Sequence, residues 1–143
     1  MTVQQGFKGL DAWQKSMDLV EMVYRITRSW PDDERFGLTN QIRRAAVSIP
    51  SNIAEGHGRA SNGDFQRFVA IAYGSLSEVE TQFLIAERLG YLPENDARTL
   101  RKQCASVGQV IQGFSRFLRQ QARSGSPRSL AEDGPELSDE IYG

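Results

Sequence analysis

The 143-residue sequence has little of the side-chain chemistry that enzymes and metal sites use. It holds one cysteine and one histidine. It has no Cys-x-x-Cys, His-Glu-x-x-His or Gly-x-Ser-x-Gly motif and no glycine-rich phosphate-binding loop, so the sequence signatures of zinc, serine-hydrolase and P-loop sites are lacking. A lone cysteine cannot form a disulfide framework, which fits a reducing compartment. We therefore expect no enzymatic activity, no metal and no cofactor.

Long hydrophobic runs and strand-like alternation are also missing. No stretch reaches the roughly 20 apolar residues of a transmembrane helix, and no signal peptide is visible, so we expect a cytoplasmic protein without a membrane partner. Without a period-two pattern of apolar residues, little room is left for a β-sheet. The predicted fold class is all-α.

The two rare residues are explained more simply by structure than by chemistry. His57 lies between two glycines, where we expect an exposed residue at a helix end rather than a ligand. Cys104 occupies an apolar heptad position, where a buried thiol behaves as a small hydrophobe. A di-iron bundle would need Glu-x-x-His pairs, but Ala54 stands three residues before His57.

The charge of the chain is divided unevenly. Residues 1–123 carry sixteen Lys and Arg against thirteen Asp and Glu, whereas residues 124–143 carry one Arg against five acids. The last segment is poor in large apolar residues and rich in Gly, Pro and Ser, so we predict a flexible acidic tail after a single domain of residues 1–123. The net charge of +3 on that domain is far from the basic balance typical of nucleic-acid-binding proteins.

Apolar residues at helical spacing predict four helices, at roughly 10–29, 36–58, 62–90 and 94–122. The third should begin at Ser61 or Asn62 with Asp64 in a capping box, and Gly74 in its interior indicates a tight helix crossing. The predicted core stripe of the third helix is Phe65, Phe68, Val69, Ala72, Leu76, Val79, Phe83 and Ala86. That of the fourth helix is Ala97, Leu100, Cys104, Val107, Ile111, Phe114 and Leu118. The 3-4 alternation of the fourth favours bundle packing.

The first predicted helix has two apolar rows that together span about 200°, roughly twice what one bundle core needs. We assign one row to the core and predict that the second contacts a neighbouring subunit. The alternative is a helix deeply buried in its own bundle. The core row is Leu10, Trp13, Met17, Val20 and Tyr24, and the predicted oligomer face is Leu19, Val23, Ile26 and Trp30.

The second predicted helix carries a polar seam beside its apolar stripe. Pro50 predicts a kink, and the simplest interpretation of the surrounding Ser-Ile-Pro-Ser-Asn is a structural joint, with a binding surface as the alternative. Glu55 or Glu78 could pair with Arg43 or Arg44 across helices or subunits. The candidate polar network or interface is Gln41, Arg44, Ser48, Ser51, Asn52, Glu55 and Glu78.

Two long motifs carry a family resemblance. The segments QIRRAAVSIPSNIAEG at 41–56 and AYGSLSEVET at 72–81, with shorter matches at 7–13, 30–31 and 89–92, resemble the bacterial four-helix bundle family, also called the 23S ribosomal RNA intervening-sequence protein family. The likeness covers nearly everything up to about residue 122. It implies an antiparallel up-and-down bundle assembling into a homo-oligomeric ring, typically a pentamer, with no established activity. The family name suggests a connection with RNA.

Two functions remain open at this stage. The first is a homo-oligomeric scaffold or adaptor that presents repeated surfaces and acidic tails to a protein partner. The second is an RNA- or DNA-binding ring in which weak cationic contacts are multiplied by symmetry. Its candidate contacts are Arg43, Arg44, Arg59, Arg67, Arg98, Arg101 and Lys102.

Overall fold

The computed structural model describes residues 6–124, which form four α-helices and two short 3₁₀ helices. The α-helices are α1 (Asp11–Thr27), α2 (Leu38–His57), α3 (Asn62–Arg88) and α4 (Glu94–Ser124), and the 3₁₀ helices are Gly6–Gly9 and Asp32–Glu34. No strand occurs within this range, so the predicted all-α class is confirmed. Most of the predicted acidic tail, residues 125–143, lies outside the described residues.

Local signals fix both ends of α3. At its start, the hydroxyl of Ser61 accepts a hydrogen bond from the Asp64 amide at 3.1 Å, as the predicted cap requires. At its end, Gly90 adopts a φ of +82°, and the amides of Gly90 and Tyr91 donate to the carbonyls of Glu87 and Ala86 at 3.1 and 2.9 Å. This is the Schellman arrangement that satisfies the last carbonyls of a helix.

The helices enclose one apolar core. Each contacts its neighbours in the chain, and α1 also packs against α4, so the four surround a shared interior. Every residue of the predicted α4 stripe from Ala97 to Leu118 is buried. Phe114 meets Phe65 of α3 edge to face, with 5.2 Å between ring centroids, a geometry that aromatic pairs favour. The predicted core stripes of α3 and α4 are thus buried, apart from Phe68, which is only partly so.

The connection after α1 is tied to the turn before α4. The Glu34 carboxylate accepts hydrogen bonds from the Leu38 amide at 3.0 Å and from the Tyr91 hydroxyl at 2.9 Å. The amide and the hydroxyl hold the pKa of Glu34 below its ordinary value, and the carboxylate in turn raises the pKa of Tyr91. The Trp30 and Tyr91 rings also pack together, with centroids 6.2 Å apart. One end of the molecule is therefore held by polar and aromatic contacts together.

The two apolar rows of α1 are placed the other way round from the prediction. The predicted oligomer face, Leu19, Val23, Ile26 and Trp30, is buried in the subunit's own core, at 0 to 6% exposure. The core stripe begins with two small residues, Ala12 and Ser16, both buried, and the Ser16 hydroxyl donates to the Ala12 carbonyl at 2.8 Å. The other row was assigned to the core because of its 3-4 spacing. Its first residue, Leu10, is buried as predicted, but Trp13, Met17 and Val20 are only partly buried, and Tyr24 is exposed.

The tight approach expected at Gly74 occurs at other glycines. A Cβ built on Gly74 would meet no atom within 4 Å, so the prediction of a tight crossing there is wrong for the described chain. A Cβ on Gly56 would lie 2.8 Å from both Phe65 Cδ1 and Phe68 Cβ, and one on Gly108 would lie 3.3 Å from Leu76. Gly56 therefore lets the end of α2 approach α3 closely.

Alanine substitutions at two of these glycines should have opposite effects. We expect Gly56→Ala to lower the free energy of unfolding by about 1–3 kcal/mol, because the clash exceeds the helix-propensity gain. Gly74→Ala should raise it by about 0.5–1 kcal/mol, because the new methyl group meets open space. Urea unfolding followed by circular dichroism measures both. A destabilised Gly74→Ala would contradict the placement of Gly74 and restore a close approach at that position.

Within residues 6–124, no helix combines the length and the apolar character that crossing a bilayer requires.

Candidate functional site

Helix α2 has three distinct sides. Its core side is buried through Ile42, Ala46, Ile49 and Ile53. α2 also lies between α1 and α3, contacting both. Its outward side is an exposed ridge with the 3-4 spacing of one helix face, and we call this the α2 ridge: Arg44, Val47, Ser51 and Glu55. The helix runs without interruption through Pro50, which is buried.

On one side of the α2 ridge lies an apolar groove shared with α1. Its volume is about 330 Å³, and it is lined by Trp13, Met17 and Val20 from α1 and by Val47, Pro50, Ser51 and Ala54 from α2. Val47 is 40% exposed. An apolar surface on α1 is therefore present, as predicted. It is formed by Trp13, Met17 and Val20, which belong to the row that we had predicted to lie in the core.

On the other side of the α2 ridge lies a polar groove shared with α3. It encloses about 300 Å³ between Gln41, Arg44, Ala45 and Ser48 of α2 and Glu78 and Gln82 of α3. Four of these six residues belong to the predicted polar network. The part of the seam formed by Gln41, Arg44 and Ser48 thus faces α3 at the surface of the subunit.

Part of the polar seam joins α2 to α3. The Ser48 and Ser75 hydroxyls are 2.8 Å apart and share a hydrogen bond. The Asn52 amide donates to the Ser48 carbonyl at 2.8 Å and to its hydroxyl at 2.9 Å. Ser75 is buried, whereas Ser48 and Asn52 are partly buried. Because buried polar groups need partners, this chain of bonds holds the two helices in register.

The remaining polar groups of the groove are uncompensated. Within the described residues, the exposed side chains of Gln41, Arg44 and Glu78 make no hydrogen bond or ion pair. The side-chain carbonyl oxygen of Gln82 is buried without a partner. A buried acceptor left without a donor costs about 1–3 kcal/mol. The groove therefore presents a cation, an anion and an unsatisfied acceptor side by side.

The predicted ion pairs are not formed inside the subunit. Glu55 pairs with Arg59 at 2.7 Å, one turn along the chain. Arg43 instead donates through Nε to the Thr27 hydroxyl at 2.9 Å and lies over the Tyr24 ring, 4.5 Å from its centroid. Arg43 therefore links α2 to the end of α1. A pairing of Glu78 with Arg44 stays a prediction for contacts between subunits.

The candidate nucleic-acid contacts are spread over α2, α3, α4 and the α2–α3 turn. Arg98 pairs with Glu94 at 3.7 Å and Arg101 with Glu87 at 3.5 Å, while Lys102 is exposed on α4. Arg59 and Arg67 are brought together, because both guanidinium groups lie within 5 Å of the Phe68 ring centroid. Several of the seven cations are thus already engaged within the subunit.

The two rare residues are both buried. His57 was expected to be exposed, but only 4% of its surface is accessible, because the Phe7 and Phe65 rings pack against it edge to face. Cys104 is buried as predicted, and desolvation, with a smaller contribution from Glu80, raises the pKa of its thiol to about 12. Within residues 6–124, no group of three or more His, Cys, Asp or Glu side chains is arranged to hold a metal ion.

The raised pKa of Cys104 makes its thiol a reporter of the core. At neutral pH we expect it to react with a disulfide reagent at least roughly 100-fold more slowly than a free cysteine, because both burial and the lack of thiolate protect it. Reaction should become fast in denaturing urea. Rapid modification of the native protein would show that the α4 stripe is not packed as described.

A further groove escaped sequence reasoning. It lies between α3 and α4, and we call it the arginine groove, after Arg116 and Arg119; Tyr73, Gln112 and Ser115 also line it. The available signal was the spacing of Gln112, Arg116 and Arg119, which places all three on one side of a helix. Of these residues, only Tyr73 lies in a motif that carried the family resemblance, the segment at 72–81.

Comparison with known proteins agrees with this architecture. No curated protein matches the sequence. A crystal structure of a protein of unknown function from the S23 ribosomal protein family of Bacteroides thetaiotaomicron is similar, with a TM-score of 0.63 and 20% identity over 70% of this chain and 94% of that one. At that identity the likeness shows the fold alone. A sequence model described as 23S rRNA-intervening sequence protein matches residues 8–113, most of the chain. The chain therefore belongs to the 23S rRNA-intervening sequence protein family.

Proposed function

We propose that the chain is a non-enzymatic cytosolic subunit of a homo-oligomeric scaffold or adaptor, whose copies meet along the α2 ridge. The observation that carries the proposal is the surface of α2, where an apolar groove and an uncompensated polar groove flank one exposed ridge. A partner lying along this ridge would cover both grooves at once.

We also infer that the helices follow an antiparallel up-and-down order, which three contacts near their ends support. Phe7, just before α1, packs on His57 at the end of α2, and Asn62 at the start of α3 donates to Gln121 near the end of α4 at 3.2 Å. The Glu34–Tyr91 bond joins the two remaining connections at one end. In such a bundle, one side of α2 faces outward, where a neighbour can contact it.

A second copy of the chain is the partner that best fits the α2 ridge. Arg44 and Glu78 carry opposite charges within one groove, so a neighbour of the same sequence offers a carboxylate to the arginine and a cation to the glutamate. A closed ring needs a different surface on the other face of each subunit. Helix α3 also has exposed apolar residues, at Ile71, Leu84 and Ile85. The family resemblance gives five as the expected number of subunits.

The scaffold function follows from the assembly rather than from a reacting group. A ring repeats each outer surface and each acidic terminal segment, so weak contacts with a partner protein are multiplied. The nucleic-acid-binding alternative has less support, because Arg59, Arg98 and Arg101 already pair with carboxylates of their own subunit.

The polar groove provides the test of this proposal. We expect Arg44→Ala and Glu78→Gln each to raise the dissociation constant of the oligomer about 10- to 100-fold, because each removes one partner of a charged hydrogen bond. Light scattering after size-exclusion chromatography, over a dilution series, measures the change.

Arg98→Ala serves as the matched control for these variants. It also removes an exposed arginine, but one that pairs with Glu94 one helical turn away at the subunit surface, so the oligomer should keep its affinity. If both groove variants dissociate at the same concentration as the unmodified protein, the polar groove is not part of an interface.

A further inference from the structure

The arginine groove lies apart from the α2 ridge, between different helices. It encloses about 390 Å³ between α3 and α4. Its floor is apolar, since Val69 and Ile111 are nearly completely buried beneath it. Tyr73 forms one wall, and Arg116 and Arg119 are exposed along the α4 side.

The polar contacts of this groove leave its charge uncompensated. Gln112 donates to the Tyr73 hydroxyl at 2.9 Å, and Arg119 donates to the Ser115 hydroxyl at 3.0 Å. Arg116 makes no hydrogen bond or ion pair within the described residues, and no carboxylate lines the groove there. Two guanidinium groups one helical turn apart above an apolar floor favour an anionic ligand that also carries apolar side chains.

The carboxy-terminal segment of the chain carries both anionic and apolar side chains. Residues 125–143 contain five acidic residues and one arginine. Near their end, in the sequence ELSDEI at 136–141, Leu137 and Ile141 are interspersed with Glu136, Asp139 and Glu140. A segment that alternates carboxylates with large aliphatic side chains matches a groove with a cationic rim and an apolar floor.

The geometry of the chain permits this contact within one subunit. Arg119 and Arg116 precede Ser124, the last described residue of α4, by five and eight residues, which is about 8 and 12 Å along a helix. The twelve residues from 125 to 136 span up to about 40 Å when extended. The segment can therefore turn back with slack, and a short tether gives it an effective concentration near the millimolar range.

We infer that residues 125–143 dock in the arginine groove of their own subunit, with acidic side chains of 136–140 on Arg116 and Arg119 and with Leu137 or Ile141 on the apolar floor. The segment then acts as a built-in competitor for this surface. An acidic partner must displace it before reaching the two arginines. The inference does not depend on the α2 ridge or on the number of subunits.

Site-specific photocrosslinking of the full chain tests the inference. Benzoylphenylalanine replaces Ser138, which lies between the acidic and apolar residues of the segment, and mass spectrometry locates the adducts after irradiation. We expect adducts in α3 near Tyr73 and in α4 between Gln112 and Arg119. Because surface charge pairs are screened by salt, the yield should fall between low and high ionic strength.

Charge reversal separates a specific contact from nonspecific attraction. Arg116→Glu with Arg119→Glu should lower the adduct yield at least roughly fivefold, since both cations are lost. Lys102→Glu with Arg88→Glu makes the same change of net charge elsewhere on α3 and α4 and should leave the yield within about twofold. Adding Glu136→Arg and Asp139→Arg to the groove variant should restore the adduct yield, because the charges on both sides are then reversed.

Three outcomes would overturn the inference. Adducts scattered over the surface would show that the segment has no docking site. An equal loss of adduct yield in the groove variant and the control would show that the yield depends only on net charge. The third outcome is that nucleic acid copurifies with the full chain but not with the groove variant, and that no adducts form in the groove. This result would mean that the arginine groove binds nucleic acid instead.

Discussion

Val47→Asp is expected to convert the oligomer into monomers while leaving the subunit folded. Val47 is 40% exposed on the α2 ridge and lines the apolar groove, so an isolated subunit tolerates a carboxylate there. In an interface the same carboxylate would be buried without a partner, which costs several kcal/mol. The dissociation constant should rise about 100-fold or more. Sedimentation velocity over a concentration series measures it, and circular dichroism checks the helical content.

Phe36→Asp is the matched control for this prediction. Phe36 lies in the connection before α2 and is 83% exposed, so it is a larger apolar surface residue outside both grooves of the α2 ridge. Its replacement makes the same change of charge and should leave the mass of the particle unchanged. Dissociation by both variants to the same degree would point to a nonspecific charge effect, and an intact Val47→Asp oligomer would place the interface elsewhere.

Phe114→Ala is expected to lower the free energy of unfolding by about 3–5 kcal/mol, which is the usual cost of removing a buried phenylalanine. Phe114 is 1% exposed and packs against Phe65 and Phe117, with ring centroids 5.2 and 6.3 Å away. Urea unfolding at one fixed protein concentration measures the change, because the proposed assembly would also contribute to apparent stability.

Phe36→Ala tests whether the loss at Phe114 comes from the core. The same side chain is removed from an exposed position, so the free energy of unfolding should change by less than about 0.5 kcal/mol. A loss below about 1 kcal/mol in Phe114→Ala would mean that α4 does not pack on α3 through this aromatic pair.

Periodicity was sufficient to predict the fold where one row of apolar residues dominates a helix. The α4 stripe from Ala97 to Leu118 follows strict 3-4 spacing, and all seven of its members are buried. The start of α3 was also predictable, because the Ser61 cap is a local interaction between residues three apart. Such features depend on neighbours in the sequence, so the sequence contains them directly.

Periodicity was not sufficient where a helix carries two apolar rows. On α1, both rows fit a helical face, and only packing against α2 and α4 decides which one is interior. The Ser16 hydroxyl donates to carbonyls of its own helix, so this polar residue can be buried in the core stripe. A pattern of apolar residues does not reveal such a position. The space around Gly74 and the burial of His57 likewise depend on residues distant in the sequence.

The candidate site was predicted in composition but not in arrangement. Gln41, Arg44, Ser48 and Glu78 were named from the sequence, and they meet in one groove. Ser51, on the α2 ridge, lines the apolar groove instead, and Glu55 pairs with Arg59. A helical wheel gives the angle of each side chain, but the groove that it lines depends on where α1 and α3 lie.

The most direct test of the proposed assembly is the mass of the untagged protein at low salt. Light scattering after size-exclusion chromatography measures it, with absorbance recorded for both protein and nucleic acid. The account predicts a particle of several subunits, five by the family resemblance, with the absorbance ratio of pure protein. A monomer would contradict the assembly through the α2 ridge. A particle that carries nucleic acid would contradict the scaffold function and favour the nucleic-acid-binding ring.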